Sequence, residues 1–137
     1  MSEGIWTILV VVLTYVIMVF GYTHSTSRRL HMTIMIGVMS FDVLLPFYFI
    51  ARREWYLRFI AHEDILTFGV WMHFMLVLIL YVLYAFQIYA ARRILNNLDD
   101  DGVSRSDHRA QGTAILWVRA FVILSGMMLY DERYLLE

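Results

Sequence analysis

The chain has 137 residues, of which 61% are hydrophobic, and its mean hydropathy is +0.63. A soluble domain is roughly half apolar, so this composition argues against one. The lack of cysteine excludes disulfides, thiolate metal sites and haem attachment through Cys, and the net charge of −1 gives no indication of a nucleic-acid partner.

Four apolar runs with few charges follow one another along the chain, at residues 5–22, 31–50, 65–92 and 112–130. Each is near or above the ~18–20 residues that cross a hydrocarbon core of about 30 Å at ~1.5 Å per residue. A segment inside lipid must satisfy its own backbone hydrogen bonds, which at these lengths predicts helices. The sequence therefore predicts an all-α fold, a single integral membrane domain over residues 1–137 with four transmembrane helices.

The first run is predicted to be a spanning helix rather than a cleaved signal peptide. No basic segment precedes it, and the run is longer than the apolar region of a signal peptide. Four spans place both termini and the link at residues 51–62 on one side, with Trp55 and Tyr56 of that link at headgroup depth. The other two links carry an excess of arginine: Arg28, Arg29, Arg92, Arg93, Arg105 and Arg109. This bias predicts termini on the outer side and these two links on the inner side.

Among the polar residues inside the predicted spans, three are weighed as functional candidates: Asp42, His73 and Arg119. Such residues are costly in lipid and tend to face the interior of a bundle. Asp42 follows His31 by eleven residues, and Arg119 follows His108 by eleven. Eleven residues is close to three helical turns, so the members of each pair share a helix face and lie ~16 Å apart along the axis. If the second and fourth helices are neighbours, Asp42 lies level with Arg119, and His31 lies level with His108.

This arrangement predicts an ion pair between Asp42 and Arg119 near the middle of the membrane, with Thr14 or Tyr15 of the first helix at similar depth. The pair has two interpretations. In the first interpretation, the pair only joins the second helix to the fourth and has no further role, because a fully paired charge needs none. Alternatively, it belongs to a proton site or to a site for a quinone headgroup.

A second candidate site lies at the inner rim, where His24, His31 and His108 are predicted to come together. Imidazoles from facing helices at one level can hold a haem axially, or bind a copper or zinc ion. No tight signature such as His-x-x-x-His is present, so ordinary rim histidines remain the alternative.

His73 cannot share that rim site, because the third helix enters from the outer side and places His73 ~25 Å away. The simplest interpretation of His73 is a buried, hydrogen-bonded structural residue. Its predicted neighbours by depth are Trp6, Tyr48 and Ser125.

Three short patches resemble a family of small four-helix bacterial membrane proteins, the domain of unknown function 420 family, with its CtaM/YozB-like members. The patches are Arg29-Leu-His31-Met-Thr-Ile-Met35, Trp71-Met-His73-Phe-Met-Leu76, and His108-Arg109 with Gly112, Ser125-Gly126 and Tyr130. The chain departs from the family pattern at Arg119, where the family has an aromatic residue, and in lacking a proline early in the fourth helix. His24 and Asp42 also lie outside the pattern.

The resemblance implies a protein of the bacterial inner membrane that helps to build, or resides in, a haem/copper oxidase or a related membrane metalloenzyme. By this resemblance, His31, His73 and His108 match histidine positions of the family, and the resemblance implies no defined chemistry for any of the three. The expected function is a non-enzymatic assembly factor or accessory subunit whose partners are the lipid bilayer and a larger membrane complex. A small haem-b electron carrier with His31 and His108 as axial ligands, and a purely structural subunit, are the alternatives.

Overall fold

The computed structural model describes residues 3–52, 65–98 and 102–131, which form four α-helices and, within these ranges, no strand. The helices are α1 (Glu3–Thr23), α2 (Arg28–Arg52), α3 (Ile65–Leu95) and α4 (Val103–Asp131). Each contains a stretch long and apolar enough to cross a membrane. The predicted interfacial segment with Trp55 and Tyr56 lies outside the described residues.

Three of the helices extend a few residues beyond the predicted apolar runs, whereas α4 begins nine residues earlier than the predicted start at residue 112. Hydropathy locates the part of a helix that suits lipid, and polar residues can continue the same helix towards water. His108 therefore lies inside α4, not in the link before it.

Both links on the arginine-rich side are short and hydrogen-bonded. In the link after α3, Asn97 adopts a left-handed conformation with a φ of 54°. The amide of Leu98 donates to the carbonyl of Arg93 at 3.0 Å, and the amide of Asn97 donates to that of Ile94 at 3.2 Å. This is the Schellman arrangement, which satisfies the last carbonyls of a helix and stops it. In the other link, the Ser27 carbonyl accepts the amide of His31 at 2.9 Å and so starts α2.

The backbone of α1 packs against both α2 and α4, and α4 also packs against α3. α1 approaches α2 closely at Gly21, where an added Cβ would lie 2.6 Å from Cγ2 of Ile34. Only a glycine leaves room for the two helices to meet at this distance, so Gly21 sets the spacing of this hairpin.

The core lies where the four helices meet, and every helix contributes to it. Its buried members are Met18 of α1, Val38 of α2, Leu80 and Tyr84 of α3, and Ile115 of α4. Around this core the helices expose many large apolar side chains, among them Leu44, Phe68, Trp117 and Met128. An apolar outer surface of this extent is unusual for a soluble monomer and suits a bundle surrounded by lipid.

Candidate functional sites

The first site is the ion pair at the centre of the bundle. Arg119 Nε lies 2.8 Å from Asp42 Oδ2, and Arg119 Nη2 lies 2.8 Å from Asp42 Oδ1. The guanidinium and the carboxylate therefore meet in the paired, parallel geometry that makes such contacts strong. Arg119 is only 1% exposed. The structure thus brings together the two charged residues that their helical spacing paired in the sequence.

Neutral polar groups complete the network around the ion pair. Arg119 Nη2 also donates to Thr14 Oγ1 at 2.8 Å, and the Arg119 Cζ atom lies 6.0 Å from the centre of the Tyr15 ring. The Tyr84 hydroxyl donates to Asp42 Oδ2. Arg119 Nη1 is buried and has no hydrogen-bond partner among the described residues. Every helix of the bundle contributes to this network, which makes it the polar counterpart of the apolar core.

The ion pair joins two helices whose backbones are not among the closely packed pairs of the bundle. α4 has α1 and α3 as its backbone neighbours, and α2 lies closest to α1. Asp42 and Arg119 are level, as their spacing predicted, but they meet across the middle of the bundle. Long side chains allow this, because an arginine extends far enough to reach a carboxylate on a helix whose backbone is not packed closely against its own.

The backbone of Asp42 is also engaged. Pro46 lies inside α2 and has no N–H, so the carbonyl four residues earlier, that of Asp42, lacks its usual helical donor. The Tyr81 hydroxyl donates to this carbonyl at 2.9 Å. Residue 42 is therefore held by its side chain and by its main chain at once.

The second site is a histidine pair one to two turns from the arginine-rich end of the bundle. The rings of His31 and His108 have their centres 6.1 Å apart and their planes inclined at 71°. His31 Nδ1 lies 2.8 Å from the Gly21 carbonyl oxygen. A carbonyl only accepts, so Nδ1 carries the proton and Nε2 of the neutral ring keeps its lone pair.

His108 has a buried amide as its neighbour. Its Nε2 lies 3.4 Å from Nε2 of Gln87 on α3. Gln87 is 7% exposed. Three buried polar atoms at this end of α3 and α4 have no hydrogen-bond partner among the described residues: His108 Nδ1, Gln87 Oε1 and Gln111 Oε1. Buried polar groups without a hydrogen-bond partner are costly, so this cluster is a candidate ligand-binding site.

The space beside the pair is filled by an aromatic ring and an amide. A Cβ added to Gly112 would lie 3.3 Å from Cε2 of Tyr22 and 3.5 Å from Nε2 of Gln87. The Tyr22 hydroxyl is hydrogen-bonded to Thr113 Oγ1 at 2.8 Å. Gly112 therefore admits side chains of α1 and α3 at this level of the bundle.

His24 takes a different position from the one predicted. Its ring stacks on Phe20 with centres 4.1 Å apart, and its Nδ1 lies 3.0 Å from the Phe20 carbonyl oxygen. Among the described residues, no three His, Asp or Glu side chains come close enough to share a metal ion. The predicted rim group of three histidines is therefore a pair, because the turn of α1 before residue 24 holds that ring on its own helix.

His73 belongs to neither site. Its Nδ1 lies 2.9 Å from Oγ of Ser125, one of its three predicted neighbours, and that hydroxyl donates to the Val122 carbonyl at 3.0 Å. A Cβ added to Gly126 would lie 3.2 Å from Cε1 of His73. The His73 ring thus packs on a glycine of α4 and is hydrogen-bonded, as a structural residue would be.

Sequence reasoning missed Gln87, Tyr81 and Tyr84. Gln87 is a polar residue within the third apolar run. A polar residue in such a run indicates a position that faces the bundle interior, and this could have identified Gln87. The two tyrosines lie three residues apart on one face of α3, but aromatic residues are common as core and lipid-facing residues, so nothing in the sequence distinguished them.

These observations define an all-helical bundle of four apolar helices, each able to cross a membrane, with a polar centre and a histidine pair near one end. No family model, no curated protein sequence and no solved structure matches the chain. The resemblance described above therefore stays a prediction.

Proposed function

We propose that this chain crosses a bacterial inner membrane four times and serves there, without catalysing a reaction itself, as an assembly factor or accessory subunit of a haem/copper oxidase or a related metalloenzyme. It acts by docking its helices against the larger complex within the bilayer. The termini face outwards and the two arginine-rich links face inwards.

The observation that carries the proposal is the meeting of His31 and His108, whose ring centres lie 6.1 Å apart. These are two of the three histidines on which the family resemblance depends, and they are 77 residues apart in sequence. Imidazole pairs of this kind suit contact with a transition metal. A protein that handles the metal of a neighbouring oxidase would need such a pair near one membrane surface.

The polar centre fits the structural part of the same role. The Asp42–Arg119 pair is engaged by groups from all four helices. Such a pair holds the bundle in one arrangement, which favours its structural interpretation over a proton or quinone site. A rigid bundle presents a constant outer face to a partner.

A stand-alone haem-b carrier is the less favoured candidate. A porphyrin axially bound by His31 and His108 would need the space that Tyr22 and Gln87 take beside them. An absorption spectrum of the purified protein separates the two functions. A reduced haem-b band that disappears in His31→Ala and His108→Ala, but not in His24→Ala, would replace the proposal with the electron carrier.

The direct test is purification of the tagged chain from its native membranes in mild detergent, with all co-purifying proteins identified and counted. An oxidase present at one copy per chain supports a resident accessory subunit. Oxidase or haem-synthesis proteins at low and variable ratio support an assembly factor. A chain that emerges alone, in cells whose oxidase level is unchanged by deletion of its gene, would contradict both.

A further inference from the structure

We propose that His31 and His108 bind one monovalent copper ion between them, with Gln87 positioning the second histidine. This inference deepens the proposed function and takes its biological meaning from it. It is carried by four observations at the arginine-rich end of the bundle: the ring spacing, the engaged nitrogen of His31, the orphaned atoms around His108, and the charge of the surroundings.

The ring spacing fits one ion. With a metal–nitrogen bond of about 2.0 Å, two imidazoles on opposite sides of an ion have ring centres roughly 6 Å apart, and the observed distance is 6.1 Å. The angle of 71° between the planes is compatible with this, because rotation about each metal–nitrogen bond leaves the coordination unchanged. Cu⁺ accepts two nitrogen ligands in a linear arrangement.

His31 is already oriented as a metal ligand. A histidine that binds a metal almost always donates its other ring N–H to a carbonyl, carboxylate or water, which fixes the tautomer and the ring direction. The Nδ1–H of His31 makes this bond to the Gly21 carbonyl at 2.8 Å. Nε2 is then the ligating atom, and Gly21 supports it from the neighbouring helix α1.

Two of the three orphaned atoms near His108 find partners in the same arrangement. Rotating the Gln87 amide by half a turn presents Oε1 to Nε2–H of His108, which places the ring proton on Nε2 and the lone pair on Nδ1. A metal on Nδ1 then gives a partner to His108 Nδ1, and the rotation itself gives one to Gln87 Oε1, while the amide nitrogen moves to the position that Oε1 leaves. Only 7% of Gln87 is exposed, so its amide has no ready access to bulk water.

The charge of the surroundings selects a monovalent ion. The groups that contact the pair are neutral, namely the Gly21 carbonyl and the Gln87 amide. No third His, Asp or Glu completes a metal site in the described part of the chain. Burying an uncompensated charge is costly and the cost rises with the charge, so Cu⁺ is favoured over Zn²⁺ and Cu²⁺ at this place.

The test is a titration of the full-length protein in detergent with Cu⁺, generated from a copper salt by ascorbate, in competition with a chromogenic Cu⁺ chelator. We expect one Cu⁺ per chain and at least a tenfold loss of affinity in His31→Ala and in His108→Ala. Gln87→Leu should lower the affinity tenfold or more, because it removes the positioning amide. The matched controls are His24→Ala and His73→Ala, which should bind like the unmodified protein.

Two further measurements keep the result independent of folding in the variants. X-ray absorption at the copper edge of the unmodified protein should show imidazole nitrogen at about 2.0 Å. Gln87→Glu should raise the affinity for Zn²⁺ relative to Cu⁺, because it adds a negative charge. Absence of imidazole scattering, or equal losses in His24→Ala and His31→Ala, would overturn the inference and indicate adventitious binding only. The isolated chain is used throughout, so this failure would leave the co-purification result unaffected.

Discussion

Tyr81 on α3 supplies the hydrogen-bond donor that Pro46 on α2 lacks. The proline leaves the Asp42 carbonyl without its helical partner, and the tyrosine hydroxyl reaches this carbonyl at 2.9 Å. In lipid no water is at hand to take that place. The proline and the tyrosine therefore act as a pair, although they belong to different helices.

The pairing predicts that the effect of Tyr81→Phe depends on residue 46. In the unmodified chain the substitution leaves a partly buried carbonyl without a donor and should lower the free energy of unfolding by about 1–3 kcal/mol. In Pro46→Ala the backbone N–H is restored, so Tyr81→Phe should cost well under half as much. The measurement is unfolding in mixed micelles followed by circular dichroism. Tyr89→Phe, at an exposed tyrosine, is the control, and equal costs in both backgrounds would refute the pairing.

The Asp42–Arg119 pair predicts unequal effects of single and double substitutions. Arg119→Leu leaves a buried carboxylate without its counter-charge and should cost about 3–5 kcal/mol, and Asp42→Leu should cost a similar amount. The double variant should cost less than either single variant, because it leaves no charge alone in the core. The same unfolding assay applies. Arg109→Leu, at an exposed arginine, should change little, and three equal losses would show that no coupling exists.

Gly21 and Gly37 predict opposite outcomes for the same substitution. At Gly21 a Cβ would lie 2.6 Å from Ile34 Cγ2, so Gly21→Ala should destabilise the hairpin by about 1–3 kcal/mol. At Gly37 nothing lies within 4 Å of an added Cβ. Gly37→Ala should therefore be neutral or stabilise by up to about 1 kcal/mol. Adding Ile34→Ala to Gly21→Ala should recover part of the loss, whereas no recovery would mean that another contact sets the helix spacing.

The proposed orientation can be measured with single cysteines, because the chain has none of its own. Ser25→Cys and Ser106→Cys lie on the arginine-rich side, at exposed positions, and Ala51→Cys lies near the opposite end of α2. In intact cells a membrane-impermeant maleimide should label Ala51→Cys alone, and after permeabilisation it should label all three. The reverse pattern would place the termini inside.

The number of helices and the central ion pair were predictable from the sequence for physical reasons. Apolar runs of spanning length admit little besides helices, and a charge in such a run needs a partner at its own depth. Depth is read from spacing along a helix, which brought Asp42 and Arg119 together correctly. Spacing carries no information on which helix backbones lie close together, so the pairing was predicted on the condition that α2 and α4 are neighbours. In the structure the closely packed backbones are those of α1 with α2, α1 with α4 and α3 with α4, and the ion pair is formed by long side chains across the bundle.

The histidine site was predictable only in part, for a similar reason. The equal spacing of His31 and His108 from the ion pair placed them at one level. The exclusion of His24 depends on how the end of α1 turns, and the contribution of Gln87 depends on the rotation of α3 about its axis. Both are set by packing of side chains against neighbouring helices, which composition and periodicity do not encode.

The ion pair also has a consequence for the order in which the chain is made. Asp42 precedes Arg119 by 77 residues, so α2 leaves the ribosome long before its counter-charge exists. A lone carboxylate at the centre of a helix costs roughly 2.5–3.5 kcal/mol on insertion. We therefore expect α2 to enter a bilayer less completely than the other helices until α4, which carries the counter-charge, has been made. The insertion of α2 would thus depend on α4, a helix that is made later.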